Sequence, residues 1–328
     1  MRPTLHPALV NGRFGDPAVF VRRLHTREAL LFDIGDITAL SARDVLRVDH
    51  VCVSHMHVDH FVGFDTLLRV NIGRTRTIRV VGPPGIAAAV GHKLAAYTWD
   101  LAERYDAELQ FEVTEMAPPG RIGRTRFRLS RRFAAEPRDV LDMAGDRVLD
   151  AGDFTLHAAF VEHHGQSLAF AVSEPLHVNV WRNRVEARGF DTGQWLKPLK
   201  AAVRDGASDD RPIPLPDGGK ATLGELRDLV SVEAGQKLGY VADMRDTPAN
   251  RAAVAELCAD ADLLLIEAAF AANDAAQAQR RAHLTTRAAG EIARLAGARR
   301  VEPFHFSPRY GEREADMLAE VDRAFRGP

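Results

Sequence analysis

The stretch Val51-Cys52-Val53-Ser54-His55-Met56-His57-Val58-Asp59-His60 places four metal-capable side chains in six consecutive positions, directly behind an apolar run. Val51, Cys52 and Val53 read as a short buried strand. Alternate residues of an extended backbone face the same side, so His55 and His57 present their rings together. Asp59 and His60 stand where the chain turns into a helix predicted around Phe61 to Arg69, and they point toward a second ion. Imidazole and carboxylate donors suit a divalent cation such as zinc. Surface histidines in a polar turn are common singly, but a cluster of this density is not. The stretch therefore reads as the core of a metal-dependent hydrolase.

The bulk composition sets limits around that core. A chain of 328 residues, 46% hydrophobic and 27% charged, can bury a large core, which excludes an intrinsically disordered class. The two cysteines, Cys52 inside the strand and Cys258 in a predicted helix, rule out a disulfide framework and a four-cysteine zinc site. A formal charge of -2 gives the whole molecule no attraction to nucleic acid, so polyanion binding must come from local patches. No apolar run approaches the roughly 20 residues of a membrane span. Met1-Arg2-Pro3-Thr4-Leu5-His6 lacks the apolar core of a secretory signal, so the expectation is a cytoplasmic protein with no membrane partner.

Upstream of the cluster, Ala18-Val19-Phe20-Val21 and Ala29-Leu30-Leu31-Phe32-Asp33-Ile34 read as adjacent strands. Asp33 and Asp36, at the end of the second, read either as contributors to the metal shell or as ordinary turn carboxylates. Downstream, Ile78-Arg79-Val80-Val81 is a strand stopped by Gly82-Pro83-Pro84-Gly85 and followed by a helical pattern through about Arg104. Residues 107 to 132 predict two or three strands. Arg121, Arg124, Arg126, Arg128, Arg131 and Arg132 crowd the second half of that stretch with no acid among them, a weak RNA-binding feature for which a solvated outer sheet face is the more common explanation. Phe154 to Val172 reads as a hairpin with His163 at a strand end, while His157 and His164 read as structural.

Residues 174 to 237 differ from their surroundings, with Trp181, Trp195, a Pro212-Ile213-Pro214-Leu215-Pro216 run and no sustained periodicity. They read as an inserted arm or a long loop with a short helix near Thr222 to Val230. Between Glu174 and Asp228 the arm has nine basic and nine acidic residues, so it is electrically balanced. Clean α/β order then returns: a strand ending at Asp243, a helix over Ala249 to Ala259, a buried strand ending at Glu267, His283-Leu284-Thr285 before a helix to Ala296, a strand ending at His305, and an amphipathic helix over Glu312 to Phe325.

These strand ends, His55, His57, Asp59, His60, His163, Asp243 and His305, together with Gly82-Pro83-Pro84-Gly85, Glu267-Ala268-Ala269-Phe270, His283-Leu284-Thr285 and His305-Phe306-Ser307-Pro308-Arg309-Tyr310, resemble the metallo-β-lactamase superfamily and within it the ribonuclease Z branch. The resemblance covers most of residues 28 to 92, 154 to 172 and 238 to 310. It implies an α/β fold, a four-layer αβ/βα sandwich, here as a single domain over 1-328 with the inserted arm at about 174-237. It implies two Zn²⁺, one held by His55, His57 and His163, the other by Asp59, His60 and His305, with Asp243 bridging. Mn²⁺ or Fe²⁺ can occupy such His/Asp sites. It further implies a shared hydroxide as nucleophile, Asp59 as the base orienting it, and His283, steered by Glu267, beside the scissile phosphate.

The function so implied is a binuclear zinc phosphodiesterase, with precursor tRNA or other RNA as partner, tRNA 3′-end processing as activity and a homodimer as assembly. Val10-Asn11-Gly12-Arg13-Phe14-Gly15-Asp16-Pro17 replaces the glycine-rich turn usual in the family, and Ala242-Asp243-Met244 replaces its Gly-Asp-Thr. Family arms are rich in Gly, Pro and basic residues, whereas this one is charge-balanced. The sequence therefore leaves a second enzyme reading, a metal-dependent hydrolase of a cyclic nucleotide, other small phosphodiester, ester or lactone, and a third, a non-catalytic RNA-binding module.

Overall fold

In the computed structural model the described residues are 4–24, 26–104, 106–118, 120–143 and 145–327. The first three residues of the opening hexapeptide lie outside them. The strands among them are β1 (Leu5–Leu9), β2 (Val19–Arg23), β3 (Ala29–Phe32), β4 (Val48–Cys52), β5 (Arg76–Gly82), β6 (Leu109–Ala117), β7 (Arg121–Arg128), β8 (Ala135–Asp142), β9 (Arg147–Asp150), β10 (Thr155–Glu162), β11 (Gln166–Ser173), β12 (His177–Val180), β13 (Pro212–Pro214), β14 (Lys220–Thr222), β15 (Val230–Glu233), β16 (Lys237–Val241), β17 (Leu263–Glu267) and β18 (Val301–Phe304). An eight-stranded sheet runs β1 to β8 in sequence order, and a six-stranded sheet has the order β18-β17-β16-β11-β10-β9.

The apolar strands explain this layering. β3 and β17 are buried at every position and so need cover on both faces. Phe32 on β3 stacks on Tyr240 of β16 at 5.2 Å and lies 6.0 Å from Phe170 of β11, while Tyr240 stacks on Phe304 of β18 at 5.3 Å. These rings join the inner faces of the two sheets. On the outer face of the first sheet, Leu67 and Leu68 of the helix Phe64–Asn71 and Val90 and Leu94 of the helix Ile86–Ala95 pack with Val51, Val80 and Phe111. On the outer face of the second, Val254, Ile292, Met317 and Val321 of three helices pack with Leu264 and Ile266. The result is the four-layer αβ/βα sandwich.

Register brings the strand ends into line. β3, β4 and β5 are parallel, with Phe32, Cys52 and Val81 side by side, so Asp33 and Ser54-His55 emerge together from one end of the first sheet. β16, β17 and β18 are also parallel, with Val241, Ile266 and Pro303 in one row, so Asp243, Glu267 and His305 emerge within two residues of that row. Ligand sites in parallel sheets lie beyond the carboxyl ends of the strands.

Several elements differ from the sequence expectation. The helical pattern after Gly85 ends at Ala95, and only a short 3-10 turn, Ala102–Arg104, follows. The helix after the metal cluster is two helices, Val58–Phe61 and Phe64–Asn71. They are separated by Gly63, where an added Cβ would lie 2.1 Å from the Gly35 carbonyl oxygen. Residues Ser173–Gln236, with Ala151–Thr155, form a compact unit of their own. It holds two antiparallel strand pairs, β12 with β15 and β13 with β14, and a helix Leu196–Arg204 whose Leu196, Leu199 and Val203 join Val185, Trp195, Ile213 and Leu226 in a separate core. The expected helix near Thr222 is Leu223–Leu226, opened by a Thr222/Glu225 capping box. Among the described residues no helix is long and apolar enough to cross a membrane.

The close approach at Gly63 yields a test. Gly63→Ala forces backbone apart beside the metal loop, and we expect a loss of about 2 kcal/mol in urea unfolding, within the usual range for overpacking. An unchanged unfolding midpoint would show that the contact does not constrain the loop.

Candidate metal centre

Three histidines of the centre are oriented from behind. His60 Nδ1 donates to Asp33 Oδ2 at 2.7 Å, His163 Nδ1 donates to the Ala282 carbonyl at 2.8 Å, and His55 Nδ1 lies 3.1 Å from Ser54 Oγ. With Nδ1 engaged, Nε2 of each ring turns inward. His55 Nε2 and His60 Nε2 are buried with no hydrogen-bond partner, as are Asp243 Oδ1 and His305 Nδ1. Those last two atoms are 2.7 Å apart without the angles of a hydrogen bond. Buried donors and acceptors are rarely left unsatisfied, and four facing one another form a donor set for cations.

Three groups of ligand atoms lie within 4.8 Å of one another: His55, His57, His163 and Asp243; Asp59, His60 and His305; and Asp243, Glu267, His283 and His305. Asp243 Oδ2 is 3.9 Å from His55 Nε2, 3.7 Å from His163 Nε2 and 3.5 Å from His60 Nε2, which places it between the first two groups. His305 turns Nδ1 to Asp243 and Nε2 to Asp59 Oδ2, the latter at 3.3 Å. All seven residues expected to hold metal converge here. His164 is exposed with its ring 6.2 Å from that of His57, and His157 pairs with Asp146 at 2.9 Å, away from the centre.

The electrostatics are those of a cation site. Burial, reinforced by the neighbouring His60, holds His55 down at about 2, and burial also holds His163 down at about 4, so both are neutral rings able to donate a lone pair. Burial opposes a charge on His60, yet Asp243 and Asp33 raise it to about 10. His305 is likewise raised well above its ordinary value, Asp243 overcoming burial. The hydrogen bond from His305 lowers Asp59 to about 2. The carboxylate field that favours protons on His60 and His305 would equally favour metal ions.

Beside the centre, His283 Nδ1 is 3.2 Å from Glu267 Oε1. Fully buried Glu267 also accepts from the backbone N–H groups of Met244 and Leu284 at 3.1 Å and of Ala269 at 3.2 Å. One carboxylate thus ties the Asp243 loop to the His283 loop. Burial opposes a proton on His283, and Glu267 outweighs it, raising the group. A cavity of about 400 Å³ is lined by Asp59, His283 and His305 at the metal side and by Phe14, Phe270, Arg281 and Arg309.

The supporting residues were only partly foreseen. Asp33 accepts from Ser54 N–H at 2.6 Å, Ser54 Oγ at 2.8 Å, His60 and Tyr240 OH, the last at 2.7 Å, so it supports the ligands from behind. Asp36 is a turn carboxylate, accepting from Thr38 N–H at 2.8 Å. Ser54, Tyr240 and the Ala282 carbonyl carry no sequence signal of their own. Left-handed backbone occurs at three residues of the centre, Asp33, Ala282 and His305 (φ 51, 56 and 60).

No family model matches the chain. Ribonuclease Z of Deinococcus radiodurans is 32% identical over 293 residues, covering 88% of this chain and 84% of that protein. Human tRNase Z, short form, is similar in structure with a TM-score of 0.54 at 18% identity, covering 92% of each chain. The metallo-β-lactamase fold protein YhfI from Bacillus subtilis is similar with a TM-score of 0.55 at 16% identity, covering 97% of this chain and 92% of its own.

Because Asp33 fixes His60, Asp33→Asn should lower divalent-metal affinity by about 10- to 100-fold, the usual cost of losing such a partner. Competition against a chromophoric chelator measures it, and wild-type affinity in the variant would remove Asp33 from the role.

Proposed function

This chain belongs to the ribonuclease Z family of metallo-β-lactamase-fold hydrolases, and on that premise we propose that it is a binuclear zinc phosphodiesterase cleaving precursor tRNA on its 3′ side. The observation that carries the reading is the position of Asp243 between two sets of donors. We assign His55, His57 and His163 to one zinc and Asp59, His60 and His305 to the other, with Asp243 bridging. The unsatisfied buried atoms of His55, His60, His305 and Asp243 support that assignment. Two divalent cations, when bound, supply Lewis acidity at a phosphoryl oxygen and lower the pKa of water toward neutrality.

The chain's own residues do the rest. Asp59, half-exposed at the cavity and held by His305, accepts a proton from the attacking water and orients it. Glu267 holds His283 through Nδ1, which leaves Nε2 on the opposite edge of the ring to give a proton to the departing oxygen. Phe14 and Phe270 form an apolar part of the wall of the same cavity. We read the whole as one catalytic domain with 174–237 as an inserted arm, acting as a homodimer in the cytoplasm.

Metal analysis of the purified protein should give two zinc ions per chain. His60→Ala should lose more activity on a chromogenic diester than the about 100-fold that a supporting residue costs, and full activity with zinc present would overturn the binuclear reading. His283→Ala should lower kcat by about 100-fold on a diester with an alkoxide leaving group and little on one releasing nitrophenolate, which departs without a proton. Equal losses on both would assign His283 to charge stabilisation instead. A wild type that cleaves the chromogenic diester, leaves 3′-extended tRNA intact and shows no salt-dependent tRNA binding would move the substrate to a small molecule.

A further inference from the structure

Other cations near the metal centre have partners that hold their side chains. Arg13 pairs with Glu302 and Glu314, Arg245 faces Glu162 at 3.3 Å, and Arg309 donates to Gln277 Oε1 at 2.7 Å with its guanidinium 5.5 Å from the centre of the Phe270 ring. Arg281 lines the same cavity as His283, His305 and Asp59, yet among the described residues no acid, carbonyl or ring partners its guanidinium. The carboxylates of that wall are otherwise engaged. Asp59 faces His305, and Asp16 lies 3.3 Å from the Asp36 N–H.

The backbone that carries Arg281 is fixed. It ends the helix Ala275–Arg281, and the next residue, Ala282, turns the chain with φ 56 while its carbonyl accepts from His163. His283 follows, held by Glu267. An unpaired guanidinium is thus mounted two residues from the proposed proton donor, on a turn tied to a metal-facing ring, at the solvent side of the cavity. A guanidinium in that position complements an anion with several oxygens.

We propose that Arg281 binds a second phosphate of the substrate, one nucleotide away from the scissile phosphodiester, and so selects a polynucleotide over an isolated diester. The inference rests on the phosphodiesterase reading above and narrows it to substrates with consecutive phosphates. Arg281 is a binding residue in this scheme, and no bond is made or broken at it.

The test compares UpU, which has one phosphate, with pUpU and UpUp, which add a second on either side, using the metal-loaded enzyme and its Arg281→Ala and Arg281→Lys variants. In the wild type one of the two phosphorylated forms should be cleaved with kcat/KM about tenfold above UpU, through KM rather than kcat, and the gain should fall as salt rises. Arg281→Ala should lose that gain while keeping wild-type kcat/KM on UpU, and Arg281→Lys should retain part of it. An equal loss on UpU would place Arg281 at the scissile phosphate or in the fold, and a retained gain in Arg281→Ala would remove it from the site; either overturns the proposal. A wild type with no gain from either phosphate overturns this inference alone. A wild type inactive on all three and on a chromogenic diester overturns the phosphodiesterase reading itself.

Discussion

Asp33 is the constraint on which the centre depends. Its carboxylate is buried between the sheets and accepts four hydrogen bonds, two from Ser54, one from His60 and one from Tyr240. A buried carboxylate is costly unless every lone pair is used, so its partners cannot drift without leaving charge unpaired in a low-dielectric interior. Those partners come from the metal loop and from the opposite sheet. The rings of Phe32 and Phe304 sandwich Tyr240, so the hydroxyl that reaches Asp33 is set by apolar packing. The cores of the sandwich and the geometry of the centre are therefore one problem, solved at one side chain.

A second carboxylate does the same work on the other side. Glu267 collects three backbone N–H groups and His283, and it ends the central strand of the three parallel strands β16 to β18. Asp33 anchors the ends of the first sheet and Glu267 those of the second, with Asp243 and the histidines between them. Left-handed backbone at Asp33, Ala282 and His305 costs of order 1–3 kcal/mol at each such position. The surrounding hydrogen bonds hold it: at Asp33 and His305 the chain turns just past a strand end, and at Ala282 it turns out of the helix Ala275–Arg281 and delivers His283 to the centre.

What could be read from the sequence follows the range of the interactions. The cluster from His55 to His60 is legible because its members are neighbours in the chain. His163, Asp243 and His305 are legible only as polar residues ending apolar strands, a pattern that gains meaning through family resemblance. Asp33 was ambiguous because its partners are 21, 27 and 207 residues away, and a turn carboxylate has the same local signature. β8 was not foreseen because it is exposed or half-exposed along its whole length and carries no alternation. The helix Leu196–Arg204 is too short for its 3.6-residue spacing to stand out among the prolines and glycines of the arm, although its apolar face closes that unit's core.

Charge placement then bears on how a polyanion would be recognised. The net charge of -2 and the balanced arm supply no broad positive field. In the arginine-rich strand β7 two of the four arginines are neutralised, as Arg126 pairs with Glu112 at 3.3 Å and Arg128 grips Glu136 through two hydrogen bonds of 3.0 and 3.1 Å. Pairs of this kind stiffen a sheet face more than they attract a distant ligand, since their fields cancel beyond a Debye length of about 8 Å at physiological salt. Attraction must therefore arise close to the reacting phosphate, from the metal ions and from the few cations left unneutralised beside them. Selectivity in such an enzyme is decided at contact, by whether a second anionic group falls where a free guanidinium already stands.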